Sequence, residues 1–343
     1  MTQRQILNFA CAFDKTHHSH KLEANNPMAH LSLLAVVLAA CFCLTLASFN
    51  DSIQAESNLM VGYWAQCSSG NEGSLASYCS GSTYDIIVIG FMPQFGSGGD
   101  ISINFAGHCW QTFPGTNLLH CSDIGRDIQA CQSQGKRVFL SLGGGDGNYG
   151  LSSDEQGNQL AQTVWDMFLG GWTNNRPFDG AKLDGIDLDI EKGDPSHYGA
   201  FVNTLSNLFN KDTSKRYYIS AAPQCPFPDA FDGPYSWGSA LDQGKVDYIW
   251  VQFYNNLPTC GLPNPFNYYT WSNWAQNHSP KTRVMVGVLG ANSGGAGFID
   301  ANGLQRALGG VRSDGQFGGV MVWDVSLAAQ NNFGQQISQY LKN

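Results

Sequence analysis

Charge is what this sequence has least of. Only 13% of its 343 residues are Asp, Glu, Lys or Arg, about half the ~25% usual in soluble domains. The formal net charge is −9 and no stretch gathers lysine and arginine, so a nucleic-acid partner has no electrostatic footing. Internal repeats, a linker, a Ser/Thr-rich stalk and an appended small domain are also missing, which favours one large domain. Cysteines occur, but Cys67, Cys79, Cys109, Cys121, Cys131, Cys225 and Cys260 include no Cys-x-x-Cys pair, so the usual zinc pattern is excluded. The sequence has ten cysteines, but Cys11, Cys41 and Cys43 lie within the first 55 residues, and the seven that remain are odd in number, so at least one of them is left over.

The long apolar run at 31–47 is uncharged and follows Met28. Its length falls between the ~7–15 residues of a signal core and the ~20 of a spanning helix. Ala47, Ser48 and Ala55 follow it. Residues 1–55 therefore read as a leader. It is either a signal peptide starting at Met28 or an uncleaved anchor behind a short cytoplasmic tail. Both readings export residues 56–343, and we expect a secreted, extracellular or wall-associated protein with no further membrane contact. Cysteine-rich sequence suits that compartment. Asn50 and Asn277 head glycosylation sequons, the second weakened by Pro280.

Aromatic residues and glycine are abundant, with 9 Trp, 13 Tyr, 20 Phe and 40 Gly. A surface poor in charge and rich in such residues suits a neutral polar ligand such as a sugar. From residue 59 onward, short apolar runs at 59–63, 85–91, 137–142, 185–190, 217–221, 248–253, 283–288 and 319–323 predict strands. Periodic segments at 122–134, 157–169, 198–210, 269–277 and 302–312 predict helices. Strand–helix alternation implies right-handed βαβ units. Eight strands in a chain of this size imply an α/β fold of the closed (β/α)8 TIM-barrel type in a single domain, rather than an open sheet.

The segment LDGIDLDIE at 183–191 carries the most chemistry. Alternation along a strand puts Asp187, Asp189 and Glu191 on one face and Ile186, Leu188 and Ile190 on the other. Neighbouring carboxyls that face a barrel lumen raise one another's pKa and cannot all ionise. Such a cluster costs stability, and Glu191 falls at the C-terminal rim where barrel active sites lie. Three readings follow. They are a protonated general acid beside an ionised partner, a hard divalent-cation site, or a remnant in a binding protein.

These residues resemble the signature of glycoside hydrolase family 18, and most closely its class III, hevamine-like chitinases. The resemblance extends in order through GYWAQ at 62–66, GNEG at 70–73, AGHC at 106–109, SLGGG at 141–145, AAPQCPFPD at 221–229, WVQFYNN at 250–256 and GGVMVW at 318–323. It implies that Glu191 is the general acid, that Asp189 orients the substrate acetamido group, that Asp187 shares a proton with Asp189, and that Tyr254 bonds the acetamido carbonyl. Gln252, Asn255, Trp323, Gly143, Gly144 and Tyr63 are then substrate-binding residues, with Trp323 the floor beneath the sugar. The implied reaction is retaining hydrolysis of chitin and chito-oligosaccharides in which the substrate's own acetamido group attacks. It needs no metal and no cofactor. The resemblance also implies the disulfides Cys79–Cys131, Cys109–Cys121 and Cys225–Cys260, leaving Cys67 unpaired, and a monomer without nucleic-acid partners.

Two segments depart from the group. The first loop, AQCSSG at 65–70, is longer than usual and introduces Cys67, and GVLGAN at 287–292 also differs. The alternative function is a non-catalytic chitin lectin or a xylanase-inhibitor-like relative on the same barrel. Within enzymes, an endo-β-N-acetylglucosaminidase or a muramidase is the competing specificity.

Overall fold

Runs such as IIVIGFM at 86–92 are apolar at every position and buried throughout, as expected for strands covered on both faces. The computed structural model describes residues 57–343 except Trp237, and the expected leader at 1–55 lies outside the described residues. In chain order the first half contains β1 (Leu59–Trp64), α1 (Leu75–Cys79), β2 (Ile86–Met92), β3 (Gln94–Gly96), α2 (Ser122–Ser133), β4 (Arg137–Gly143), β5 (Asn148–Gly150) and α3 (Asp154–Phe168). The second contains β6 (Gly185–Asp189), α4 (Tyr198–Phe209), β7 (Tyr218–Ala221), β8 (Tyr248–Gln252), α5 (Tyr268–His278), β9 (Arg283–Leu289), α6 (Ala301–Gly309), β10 (Phe317–Trp323), α7 (Val325–Ala329) and α8 (Phe333–Lys342).

Eight strands close into a parallel barrel in the order β1, β10, β9, β8, β7, β6, β4, β2. The protein therefore has the (β/α)8 architecture. Period-two alternation splits its apolar residues into two packed groups. Val61, Val88, Phe139 and Trp250 belong to the group that fills the lumen. Met60, Ile87, Leu140 and Ile249 belong to the group between strands and helices. Among the described residues no helix is long and apolar enough to cross a membrane.

Each of the eight strand expectations has a barrel strand at its place. The structure adds elements that periodicity did not reveal. The parallel pair β3–β5 is too short to carry a pattern. The helices α1, α7 and α8 were also not anticipated, and α8 packs against β1 and β10 at the closure of the barrel. Helix α3 begins earlier than expected because Ser153 caps it, its hydroxyl accepting the Gln156 amide hydrogen at 3.2 Å.

Disulfides join Cys79 to Cys131, Cys109 to Cys121 and Cys225 to Cys260, and Cys67 is free and half-buried. The first staples α1 to α2. The third ties the loop after β7 to the loop after β8.

Candidate active site

The apolar alternate positions of β6, Ile186 and Leu188, pack outward against the helices. That leaves Asp187 and Asp189 for the lumen. Glu191 follows two residues beyond the last residue of the strand, at the rim.

Asp187 is fully buried and sits below the floor of the cavity rather than on its wall. It accepts hydrogen bonds from the hydroxyls of Tyr63 at 2.6 Å, Ser141 at 2.6 Å and Ser220 at 2.8 Å. Strand register supplies this cage, because Ser141 and Ser220 are the in-register neighbours of Asp187 on β4 and β7. The Tyr63 oxygen in turn accepts the Trp250 indole N–H at 3.0 Å. Burial pushes the Asp187 carboxyl above its ordinary range, and the three hydroxyls and Trp250 partly oppose it. Burial and the Asp187 charge hold the Tyr63 phenol far above its usual value, so it stays a donor.

One rung up, Asp189 is 4% exposed. Its carboxyl accepts the Gln252 side-chain amide at 3.0 Å, while the same amide donates to the Ala222 carbonyl at 2.9 Å. The Asp189 and Glu191 carboxyls hydrogen-bond each other. Asp189 is raised well above the usual carboxylate range by burial first, then by Glu191, Asp187 and Asp232. Burial raises Glu191 too, against stabilising hydrogen bonds from Gln252 and Asp189. Two carboxyls so close to each other disfavour simultaneous ionisation, which raises the pKa at which the pair gives up its last proton. The backbone under Glu191 is fixed, since its N–H donates to the Tyr149 hydroxyl at 3.0 Å, and that hydroxyl donates to the Gly144 carbonyl at 3.1 Å.

Above these groups opens a cavity of about 460 Å³. Glu191, Asp189, Tyr254, Gln252, Asn255, Trp323, Tyr63, Gly143 and Gly144 all border it, so the structure brings together every expected site residue except Asp187, which lies beneath. Tyr254 is nearly buried, and burial and the three carboxyls of β6 and the rim keep its phenol protonated. Trp323 is half-buried, with ring centroids 5.5 Å from Tyr63 and 5.8 Å from Phe91 in a stacked arrangement. Asn255 borders the cavity, and its carbonyl oxygen accepts the Ala296 N–H at 2.8 Å, which fixes the orientation of its side-chain amide.

The glycines of SLGGG have a structural reason. At Gly143 φ is +113° and a Cβ would stand 2.2 Å from the Asp189 carbonyl oxygen. The close approach brings the end of β4 against the end of β6, with the Gly144 N–H donating to that same carbonyl at 2.8 Å. The long first loop is anchored by Glu72, which accepts the Ala65 and Cys67 amides and contacts His108 at 2.9 Å. Its far side is held by Asp324, whose carboxylate accepts the Ser68 N–H at 3.2 Å. Burial, Glu72 and Asp324 all raise the Cys67 thiol, which keeps it poorly nucleophilic.

Sequence reasoning missed Ser220, Tyr149 and Phe91. Ser220 became visible only through register with Asp187. Tyr149 lies on the short strand β5 and nothing local marks it.

The profile of glycosyl hydrolases family 18 matches residues 59–296. Chitinase 1 of Rhizopus niveus is 43% identical over 313 residues, which is 89% of this chain and 60% of the relative. The chain thus spans well under the full length of that protein. Among solved structures, the ICChI chitinase of Ipomoea carnea superposes with a TM-score of 0.73 at 35% identity, over 82% of this chain and 100% of its own. The xylanase and α-amylase inhibitor protein XAIP-II of Scadoxus multiflorus superposes with a TM-score of 0.70 at 31% identity, over 82% of this chain and 98% of its own. A matched profile over most of the barrel, laid on a carboxylate ladder at the strand end, assigns the chain to glycosyl hydrolases family 18.

Proposed function

We propose that this chain is a secreted chitinase that hydrolyses β-1,4-linked N-acetylglucosamine polymers with retention of configuration, and that Glu191 is its general acid. The observation that carries the reading is the hydrogen-bonded Asp189–Glu191 pair at the wall of the cavity, with both carboxyls raised. A glutamate that keeps its proton near neutral pH can deliver it to a glycosidic oxygen. The rest of the wall suits an N-acetyl sugar. In this reading Asp189 accepts the acetamido N–H, which makes the carbonyl oxygen a better nucleophile. The Tyr254 hydroxyl is the donor that holds that oxygen beneath C1.

In the proposed reaction Glu191 protonates the leaving oxygen as the acetamido oxygen bonds to C1 and the glycosidic bond breaks. Water then attacks C1 from the opposite face, giving its proton to the Glu191 carboxylate, and the ring of the oxazolinium ion opens. Two inversions return the β-anomer. The hydroxyl cage takes both oxygens of Asp187, so a metal would compete with three donors for that carboxylate. Secretion is supported by the three disulfides.

The test is proton NMR of the first product from chitotetraose, with Glu191→Gln beside the wild type. We expect the β-anomer first and a loss of turnover of about 10²-fold or more in the variant, with oligosaccharide binding retained. An α-product, or a variant keeping more than about a tenth of wild-type turnover, would refute the assignment of the acid. Binding without any turnover in the wild type would point instead to a lectin or inhibitor on this barrel.

A further inference from the structure

Exposed tryptophan is uncommon, because the indole loses much by facing water. Among the described residues, Trp110 at 77% exposed and Trp172 at 73% stand apart, and neither borders the catalytic cavity. They flank His120. Trp110 and His120 line a small hollow of about 80 Å³. Trp172, Phe113 and His120 line a neighbouring one of about 430 Å³. Phe113 stacks on the His120 ring with centroids 4.4 Å apart.

The segments that carry these rings are braced by covalent and hydrogen bonds. The Cys109–Cys121 disulfide closes the loop bearing Trp110 and Phe113. Backbone bonds from Phe113 to Leu118 at 3.0 Å and from His120 to Gln111 at 2.8 Å brace that loop inside. Arg176, almost wholly buried, clasps the Trp172 segment by donating to the carbonyls of Asp166, Leu169, Gly171, Asp179 and Ala181. The Cys121 N–H donates to the Pro177 carbonyl at 2.7 Å and joins the two segments. With the backbone braced, the ordering cost of binding is confined to the ring rotamers.

Charged groups at the patch are few and mostly engaged by neighbours. Asp179 meets His120 at 2.6 Å, and the cations bordering the larger hollow are Lys182 and Arg176, whose guanidinium donors are taken up by carbonyls. Apolar rings amid uncompromised amides such as Asn174 match an uncharged polysaccharide, whose sugar rings offer C–H faces for stacking and hydroxyls for hydrogen bonds. An acidic peptide or nucleic acid would find no basic field here.

We propose that Trp110, Phe113, His120 and Trp172 form a second carbohydrate-binding site, separate from the catalytic cavity, that holds the β-1,4-linked amino-sugar polymer while another part of it is cut. The inference rests on the chitinase reading. The experiment compares pelleting with insoluble chitin for Glu191→Gln and for the same protein carrying Trp110→Ala and Trp172→Ala. In parallel, chitotetraose hydrolysis is compared between wild type and the double tryptophan variant with Glu191 intact. We expect an apparent Kd for insoluble chitin weakened by about fivefold or more, the product of two modest ring contacts, with kcat/KM on chitotetraose unchanged. Unchanged pelleting overturns the proposal and leaves the rings to a protein partner. No pelleting by Glu191→Gln overturns it as well, and an equal loss on chitotetraose overturns it by tracing the effect to the catalytic cleft. A wild type that fails to cut chitotetraose removes the chitinase reading, while the pelleting arm still measures this site.

Discussion

Replacing Tyr63 with phenylalanine probes the cage around Asp187. The ring keeps its contacts with Trp323 and Phe91, and only the hydroxyl leaves. Asp187 then drops from three hydroxyl donors to two, and the Trp250 N–H loses its acceptor. The second loss is independent of pH and costs about 1 kcal/mol. The first depends on the proton. A hydrogen bond to a carboxylate is worth about 1.5–3 kcal/mol, and one to a neutral group about 0.5–1.5. Asp187 has a folded pKa raised above its unfolded one. Its burial therefore costs nothing while both states are protonated, and it destabilises progressively as pH rises from the unfolded value, about 4, through the folded one. Tyr63→Phe raises the folded value further, so the gap between variant and wild type widens between the two folded values and then levels.

Urea unfolding read by near-ultraviolet circular dichroism at pH 4 and at pH 8 measures it. The expected destabilisation is about 1.5–2.5 kcal/mol at the lower pH and about 1 kcal/mol greater at the higher. An equal destabilisation at both values would refute the reasoning, because the lost hydroxyl would then bond a group whose charge never changes.

The turnover number on chitotetraose should fall as pH rises through the raised pKa of Glu191, so the basic limb of its pH profile should lie above the ordinary glutamate range. A limb at the value of a free glutamate would contradict this. Gly143→Ala should destabilise by about 3 kcal/mol or more and abolish turnover, because the added carbon meets the Asp189 carbonyl in a left-handed backbone. Thermal unfolding and a chitotetraose assay check both effects. Removing the Cys225–Cys260 bridge by a double serine substitution, which opens a span of 35 residues, should cost about 4 kcal/mol of stability by the chain-entropy estimate, with loss of Tm as the readout.

The barrel strands were legible because burial on both faces writes them as unbroken apolar runs, and β6 stood out because Asp187 and Asp189 interrupt such a run at period two. Cooperation between strands was not legible. Ser141 and Ser220 are small polar residues like many others until register sets them beside Asp187. Tyr149 reaches Glu191 from a strand too short to show any pattern. Helix α8 carries its apolar residues Phe333, Ile337 and Leu341 at helical spacing, yet it follows the last expected strand, where the alternation offered no further partner to announce it. The exposed Trp110 and Trp172 were counted as sugar-friendly composition, but only coordinates separate an exposed indole from a buried one.

The two carboxyls of the Asp189–Glu191 pair hang from one stretch of backbone, two residues apart. The backbone positions that carry them are therefore separated by the rise of an extended chain, ~6.6 Å for two residues, and not by the docking of separate loops. Insertions and replacements elsewhere around the rim, such as the lengthened segment carrying Cys67, can reshape what is admitted without altering how far the proton must travel. Both carboxyls are carried by one short stretch of sequence, so a change in a surrounding loop leaves their relative placement on the backbone untouched.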